Sequence, residues 1–381
     1  MKKAIKLEET LKQRICEAGG WLGFDAFMRS ALYEPEYGYY ESATIFGEQG
    51  DYVTSADMGP WLVLGLTDLI VWGWQQMGRP DDWSLLEQGG GSGKLMCAVI
   101  EALQQESGCM PKRIIEVETS TGMRKRQFQT FQQAGLDVEQ FTCLKDVPPQ
   151  QHCLVFCNEL LDAFPARCFT WQDGKMHERG VAISERGFDW QQAQEPLQEP
   201  PDIDPALQAA WPDGYCSEWN PQLAAWQADI SSVMQCGYVF CIDYGYPQAE
   251  YYRAERMMGT LMAHYKHQAS DDVLSEPGNR DITAHVDFTA LCKAGERVGL
   301  HPVSFISQGG WLAQSLSVQQ RIQKLAVSRN EESVRLLAHA KRLLLPIGMG
   351  ELFKLCIQAR NLPDETPEYL TQFDRKHALG L

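Results

Sequence analysis

Apolar positions at Leu7, Leu11 and Ile15, and then at Leu22 and Phe27, recur at helical spacing and predict helix through residues 6–30. The stretch LYEPEYGYYES that follows is rich in Tyr, Gly and Pro and predicts an ordered loop or short hairpin. FGEQGDYVTSADMGP then carries turn-forming Gly-Asp and Pro. Residues 61–77, opening on WLVLGLTDLIVWGW, predict a helix that is apolar on nearly every side. Asp68 interrupts the run, and it is too short to span a bilayer, so it reads as a buried core helix.

From residue 83 the period changes. Short apolar runs at 83–87, 113–117, 141–144, 153–157 and 238–243 predict strands, with helical patterns between them, for example at 94–105 and 123–134. Such alternation predicts an α/β fold, a parallel sheet with helices on both faces. Late strands at 303–307 and 351–359 complete it, with helices inserted across 311–345. Two stretches leave the rhythm. Residues 171–219, with QQAQEPLQEPPDIDP, predict a loop crossing an insertion, and residues 247–281 separate CIDYG from the next helix.

Composition narrows function more than fold. Fifty acidic against 34 basic residues leave a net charge of −16. That disfavours sequence-blind nucleic-acid binding, which rests on Lys and Arg neutralising phosphates. A solvated acidic surface accounts for the surplus, with a cationic substrate or partner as the functional alternative. None of the twelve cysteines forms a C-x-x-C pair; Cys153, Cys157 and Cys241 sit in apolar runs, as reduced cysteines do. The N-terminal MKKAIKLEETLKQRICEAGG has charges throughout and no apolar core, so no secretory signal is expected. A cytoplasmic location without membrane insertion follows as the expectation.

The chemistry concentrates in LLEQGGGSGK, residues 85–94. A phosphate loop of the Gly-x-x-x-x-Gly-Lys-Ser/Thr type fails at both ends, because Gln88 stands where its first glycine belongs and Leu95 follows Lys94. The dinucleotide fingerprint fails in both registers, reaching Lys94 or Met96 where the third glycine is needed. What fits is an acid followed by alternate glycines: Glu87, Gly89, Gly91 and Gly93. This is the loop pattern of Rossmann-like enzymes that bind S-adenosyl-L-methionine (SAM). That ligand has no phosphates, so neither a lysine nor a magnesium ligand is required, and the glycines admit close backbone approach.

A second acid supports the reading, since ribose hydroxyls are commonly held by Asp or Glu at the end of the next strand. RIIEVETS offers Glu116 and Glu118, two residues apart and therefore on one face of a strand, with Glu118 nearer the strand end. CNELLDAFP and IDYG bring Asn158, Glu159, Asp162 and Asp243 to the carboxyl ends of the following strands, where α/β sheets bind ligands.

With FMRSALYEPEYGYY, GDYVTSADMGP, LLEQGGGSGK, IIEVETSTGMRKRQ, NELLDAFPAR, CIDYGYP, EYYRAERMMGTLMAHYKH, DITAHVDFTAL and MGELFKL, the chain resembles the MidA-type methyltransferase family from about residue 24 to 356. That family includes a mitochondrial complex I assembly factor with protein-arginine methyltransferase activity. The resemblance implies a class I SAM-dependent methyltransferase fold, with a seven-stranded, mostly parallel sheet and N-terminal and inserted helical cap regions. Segment 1–60 would be the N-terminal cap and 61–170 with 220–381 the core, with insertions at 171–219, 247–281 and 311–345 on the substrate side. It implies SAM as cofactor, held by Glu87, Gly89, Gly91, Gly93, Glu118 and Asn158, and a protein acceptor, a respiratory-complex subunit among the candidates. Two departures stand out. Ala56-Asp57 replaces the family's usual Pro-Glu, and Gly90 replaces the Ala or Pro of a typical loop.

If the acceptor is a guanidinium, carboxylates would orient it, Glu159 first, then Asp162 and Asp243. His264, His267, His285 and Asp287 make only a weak metal pattern, His-x-x-His without a close third ligand. DITAHVDF is expected to open a helix, with Asp281 and Thr283 as caps. Tyr39, Tyr40 and Tyr265 are candidates to line the pocket. The competing functions are a small-molecule N- or O-methyltransferase, a SAM-binding assembly factor with little catalysis, and a dehydrogenase.

Overall fold

The computed structural model describes residues 2–41, 59–105, 109–185, 187–265, 268–328 and 330–381. His267, Ala56 and Asp57, and most of the GDYVTSADMGP stretch, lie outside them. The chain divides into two compact units. One comprises Met1–Tyr52, Leu161–Ala225 and Tyr246–Ala290, and the other Val53–Leu160, Trp226–Gly245 and Leu291–Leu381.

The second unit is built on seven strands: β1 (Ser84–Gln88), β2 (Arg113–Val117), β3 (Glu139–Phe141), β4 (Cys153–Asn158), β5 (Gly237–Tyr246), β6 (His301–Ser307) and β7 (Phe353–Arg360). They lie in the order β6-β7-β5-β4-β1-β2-β3. All are parallel except β7, which runs antiparallel to both β5 and β6. This is the class I methyltransferase sheet. The carboxyl ends of β1, β2, β4, β5 and β6 therefore share one edge. β4 is continuously apolar and wholly buried from Cys153 to Cys157, as expected of a strand covered on both faces. Trp61, Leu66, Leu85, Val99, Phe156, Phe240 and Leu355 belong to one buried cluster. Each such side chain contributes about 1.5–3 kcal/mol relative to exposure.

The expected strand 141–144 lies slightly early, at Glu139–Phe141, followed by a 3-10 turn at Leu144–Asp146. An edge strand whose three residues are exposed or half-buried carries no apolar run to mark its start. The helix expected across 6–30 is broken. It ends at Glu17, and Gly19 and Gly20 adopt φ of 83° and 96°, conformations that no right-handed helix continues through. A second helix, Phe24–Tyr33, follows the short strand Leu22–Gly23.

The first unit carries an antiparallel sheet of Leu22–Gly23, Lys175–Ser184, Arg167–Gln172, Cys216–Trp219 and Gly187–Pro196. The stretch from Gln191 to Pro196 is thus the end of a strand, not a loop. It pairs with the strand Lys175–Ser184, which supplies the backbone order its composition does not advertise. An aromatic core of Phe169, Trp211, Tyr215, Tyr251 and Tyr252 fills this unit, with Trp211 stacked on Tyr215 at 4.6 Å and 8°. DITAHVDF begins as a strand, Asp281–Thr283. The helix Phe288–Glu296 starts later, and Asp287 accepts the Ala290 N–H at 3.0 Å, so Asp281 and Thr283 are not its caps. Among the described residues no helix is long and apolar enough to cross a membrane.

Candidate functional site

The glycine loop joins β1 to the helix Lys94–Leu103. Gly89, Gly91 and Gly93 all have positive φ, 73°, 53° and 77°, and Lys94 is an exposed first-turn residue. The Gly89 N–H donates to the Val117 carbonyl at 2.9 Å, which ties the loop to β2. A Cβ on Gly93 would lie 2.8 Å from the Phe131 ring, and one on Gly90 would lie 2.7 Å from both Glu116 Oε1 and Glu87 Cδ. The loop is therefore a cradle with no room for side chains on its inner face.

Beneath it, Glu87 and Glu116 are register partners on β1 and β2, 1% and 0% exposed. Glu116 Oε1 accepts the Gly90 N–H at 2.9 Å and Gln127 Nε2 at 3.0 Å. The Glu87 carboxyl lies beside it, both within 2.7 Å of where a Gly90 Cβ would stand. Desolvation is the main reason that the Glu87 carboxyl is pushed up to about 8 and Glu116 well above its ordinary range; the Glu118 charge adds to both. Glu118 itself is half-buried just past β2, where it accepts the Ser120 N–H at 2.8 Å. The two acids of RIIEVETS are thus separated by environment, one sealed under the loop and one at the strand end.

At the end of β4 the backbone turns sharply. Glu159 has φ of 53°, a left-handed conformation that a non-glycine residue holds only when its surroundings require it. Its N–H donates to the Ile242 carbonyl at 2.9 Å, and Asn158 Nδ2 donates to Glu159 Oε1 at 3.1 Å. Asp243, fully buried within β5 just past the last residue that pairs with β4, accepts the N–H groups of Leu160 at 3.1 Å and Tyr244 at 2.9 Å. Asp162 falls in the other unit, buried in the 3-10 turn Leu161–Ala163, with its carbonyl accepting the Ala284 N–H at 2.9 Å.

Two residues on the same sheet edge escaped sequence reasoning. Lys354, register partner of both Asp243 and Ser307, is 2% exposed, and its ammonium donates to the Glu351 carbonyl. Gln308 directly follows β6 and is fully buried, and neither atom of its amide has a hydrogen-bond partner among the described residues. A buried, unsatisfied amide is costly and so marks a candidate ligand contact. Its only sequence signal is a polar residue at the end of a strand.

The remaining candidates lie in the first unit. The Tyr40 hydroxyl donates to both Asp281 oxygens at 3.0 Å, Tyr39 is buried, and Tyr265 is exposed. His264 faces Asp281 in register, with its pKa lowered by burial, and the His285 N–H donates to Thr260 Oγ1 at 2.9 Å. Glu218, also buried, accepts from the Tyr251 hydroxyl at 2.7 Å and the Thr260 N–H at 2.9 Å, which fixes the start of the GTLMAHYKH segment. No group of His, Cys, Asp and Glu suited to a metal ion occurs among the described residues.

Comparison with known proteins follows the same lines. The model of a family of S-adenosyl-L-methionine-dependent methyltransferases matches residues 66–306. A crystal structure from Burkholderia thailandensis, a superfamily member bound to S-adenosyl-homocysteine, is 29% identical with a TM-score of 0.89, covering 99% of this chain and 97% of that one. The mitochondrial protein arginine methyltransferase NDUFAF7 homolog of Drosophila melanogaster is 26% identical over 91% of this chain and 83% of its own length. The mitochondrial protein arginine methyltransferase NDUFAF7 of Danio rerio is 25% identical over 88% and 83%.

Proposed function

The chain belongs to the S-adenosyl-L-methionine-dependent methyltransferase family, and from that premise we propose that it methylates a protein side chain, an arginine guanidinium foremost. The strained Asn158-Glu159 corner carries this reading. It presents a carboxylate at the carboxyl edge of the sheet, beside the glycine cradle, in a conformation that costs on the order of 1 kcal/mol.

The loop fits the cofactor: Gly89, Gly91 and Gly93, all at positive φ, carry no side chain that would hold a ligand off the backbone, and no lysine or metal site is needed. We assign contact with the cofactor to Gly89, Gly91, Gly93 and Asn158, and contact with the ribose hydroxyls to Glu118. Glu87 acts through the loop. Bound there, SAM supplies an electrophilic methyl group on a sulfonium. Glu159 pairs with the guanidinium, orients one nitrogen and receives the proton that nitrogen sheds. Asp243 holds the corner from behind, Asp162 is the carboxylate candidate of the first unit, and Gln308 contacts the acceptor. The arginine assignment draws support from the names of the Drosophila and zebrafish relatives, and the net charge of −16 suits a cationic acceptor. The twelve cysteines, all free, suit a reducing compartment, and we place the protein in the cytoplasm.

Glu159→Gln tests the reading: methyl transfer should fall at least 100-fold while S-adenosyl-homocysteine binds as before. Undiminished transfer would remove Glu159 from the chemistry.

A further inference from the structure

We propose that Glu87 and Glu116 share a single proton, and that this proton holds the glycine loop in its cofactor-binding form. The inference rests on the loop being the cofactor site. Its grounds are geometric. The two carboxyls face each other across adjacent strands, both sealed from solvent. Glu116 Oε1 takes the N–H of Gly90 in the loop, and a Cβ on Gly90 would lie 2.7 Å from both Glu116 Oε1 and Glu87 Oε2. The pair thus lies directly beneath the loop. As two carboxylates, Glu87 Oε2 and Glu116 Oε2 have no hydrogen-bond partner among the described residues. One proton changes that, making one carboxyl a donor to the other, in the manner of any two acids forced to share a dry site.

The backbone N–H of Gly90 favours the anion of Glu116, but the ionisable neighbours press the other way. Glu118 and the Cys97 thiol add negative or potentially negative charge, and Gln127 contributes only a neutral amide. Losing the proton to solvent hydroxide would leave two anions in contact without water. Gly90 lies directly over both carboxyls, so hydrating them from that side lifts the loop. Burial, and then the charge of the ionised Glu87, push the loss of this proton from Glu116 well above the ordinary carboxylate range.

Glu116 and Glu87 are therefore positioning residues, and their signature is a pH profile. Calorimetric Kd values for S-adenosyl-homocysteine are measured on the full chain from pH 6.5 to 9.5, for the wild type, E116Q and E87Q. A glutamine at either position keeps the net charge of the singly protonated pair and donates a permanent N–H, so the loop no longer needs a proton. The ligand's own amino group titrates identically in all three proteins and cancels in the ratio. The wild-type Kd should rise relative to the variants by about tenfold per pH unit above the pair's ionisation. A ratio constant across pH for both variants overturns the proposal, since a merely structural contact shifts Kd equally at every pH. Absence of wild-type binding at any pH would instead sink the cofactor assignment on which the proposal stands.

Discussion

The Leu160 N–H donates to Asp243 Oδ2 at 3.1 Å, so an acid buried within β5 fixes the corner that follows its neighbour β4. The Leu160 side chain also lies against Gly89, where a Cβ would come within 2.7 Å of it. Cofactor loop, Glu159 corner and Asp243 are thereby one mechanical unit. Asp243→Ala leaves the Leu160 and Tyr244 N–H groups without this acceptor, which costs about 1–3 kcal/mol. Urea denaturation should show that loss, and methyl transfer should fall further than stability alone explains. Asp243→Asn keeps one acceptor oxygen and should recover part of both.

Gly90→Ala places a methyl group against Glu116 and Glu87. We expect at least a tenfold weaker affinity for S-adenosyl-homocysteine by calorimetry. Gly135→Ala is the control: its φ of 68° is equally left-handed, but nothing lies within 4 Å, so only a stability loss of about 1 kcal/mol is expected, with binding unchanged.

Glu159→Gly should separate stability from function. Glycine adopts the φ of 53° without strain, so the variant should be as stable as the wild type or more stable, by up to about 1 kcal/mol in urea. Its methyl transfer should nevertheless be lost.

Gln308→Leu makes a similar separation. Replacing an amide with no partner among the described residues by an apolar side chain of similar size should raise stability by about 1–3 kcal/mol. If the amide serves the acceptor, KM for the acceptor should rise while cofactor affinity holds.

Stability itself should depend on pH. Glu87 is pushed from the ordinary 4.5 up to about 8, and Glu116 moves in the same direction. A raised acid contributes stability that is fully present below its unfolded value and is lost as pH rises through the folded one. Urea midpoints should therefore decline between about pH 4.5 and 8, and E116Q should flatten that decline. A wild-type midpoint level across this window would contradict the burial of the pair.

Much of the second unit was legible because parallel strands buried on both faces announce themselves as unbroken apolar runs, as Cys153 to Cys157 does. The loop was legible from its glycine spacing. The strand Gly187–Pro196 was not: half-exposed in a Gln- and Glu-rich segment, it owes its order to the partner strand rather than to its own pattern. The place of Glu118 nearer the strand end was legible, but the sealing of Glu116 beneath the loop was not, since only the folded loop provides it. Gln308 gave no more than a polar residue after a strand and Lys354 gave no signal, since burial of a polar side chain is a tertiary property.

The most direct test of the account is incubation of the full chain with methyl-labelled SAM and cell lysate, followed by amino-acid analysis of the labelled material. The account predicts label in protein as methylarginine, abolished by Glu159→Gln while S-adenosyl-homocysteine still binds. Label confined to small molecules, or cofactor binding by the wild type with no transfer to protein, would contradict it.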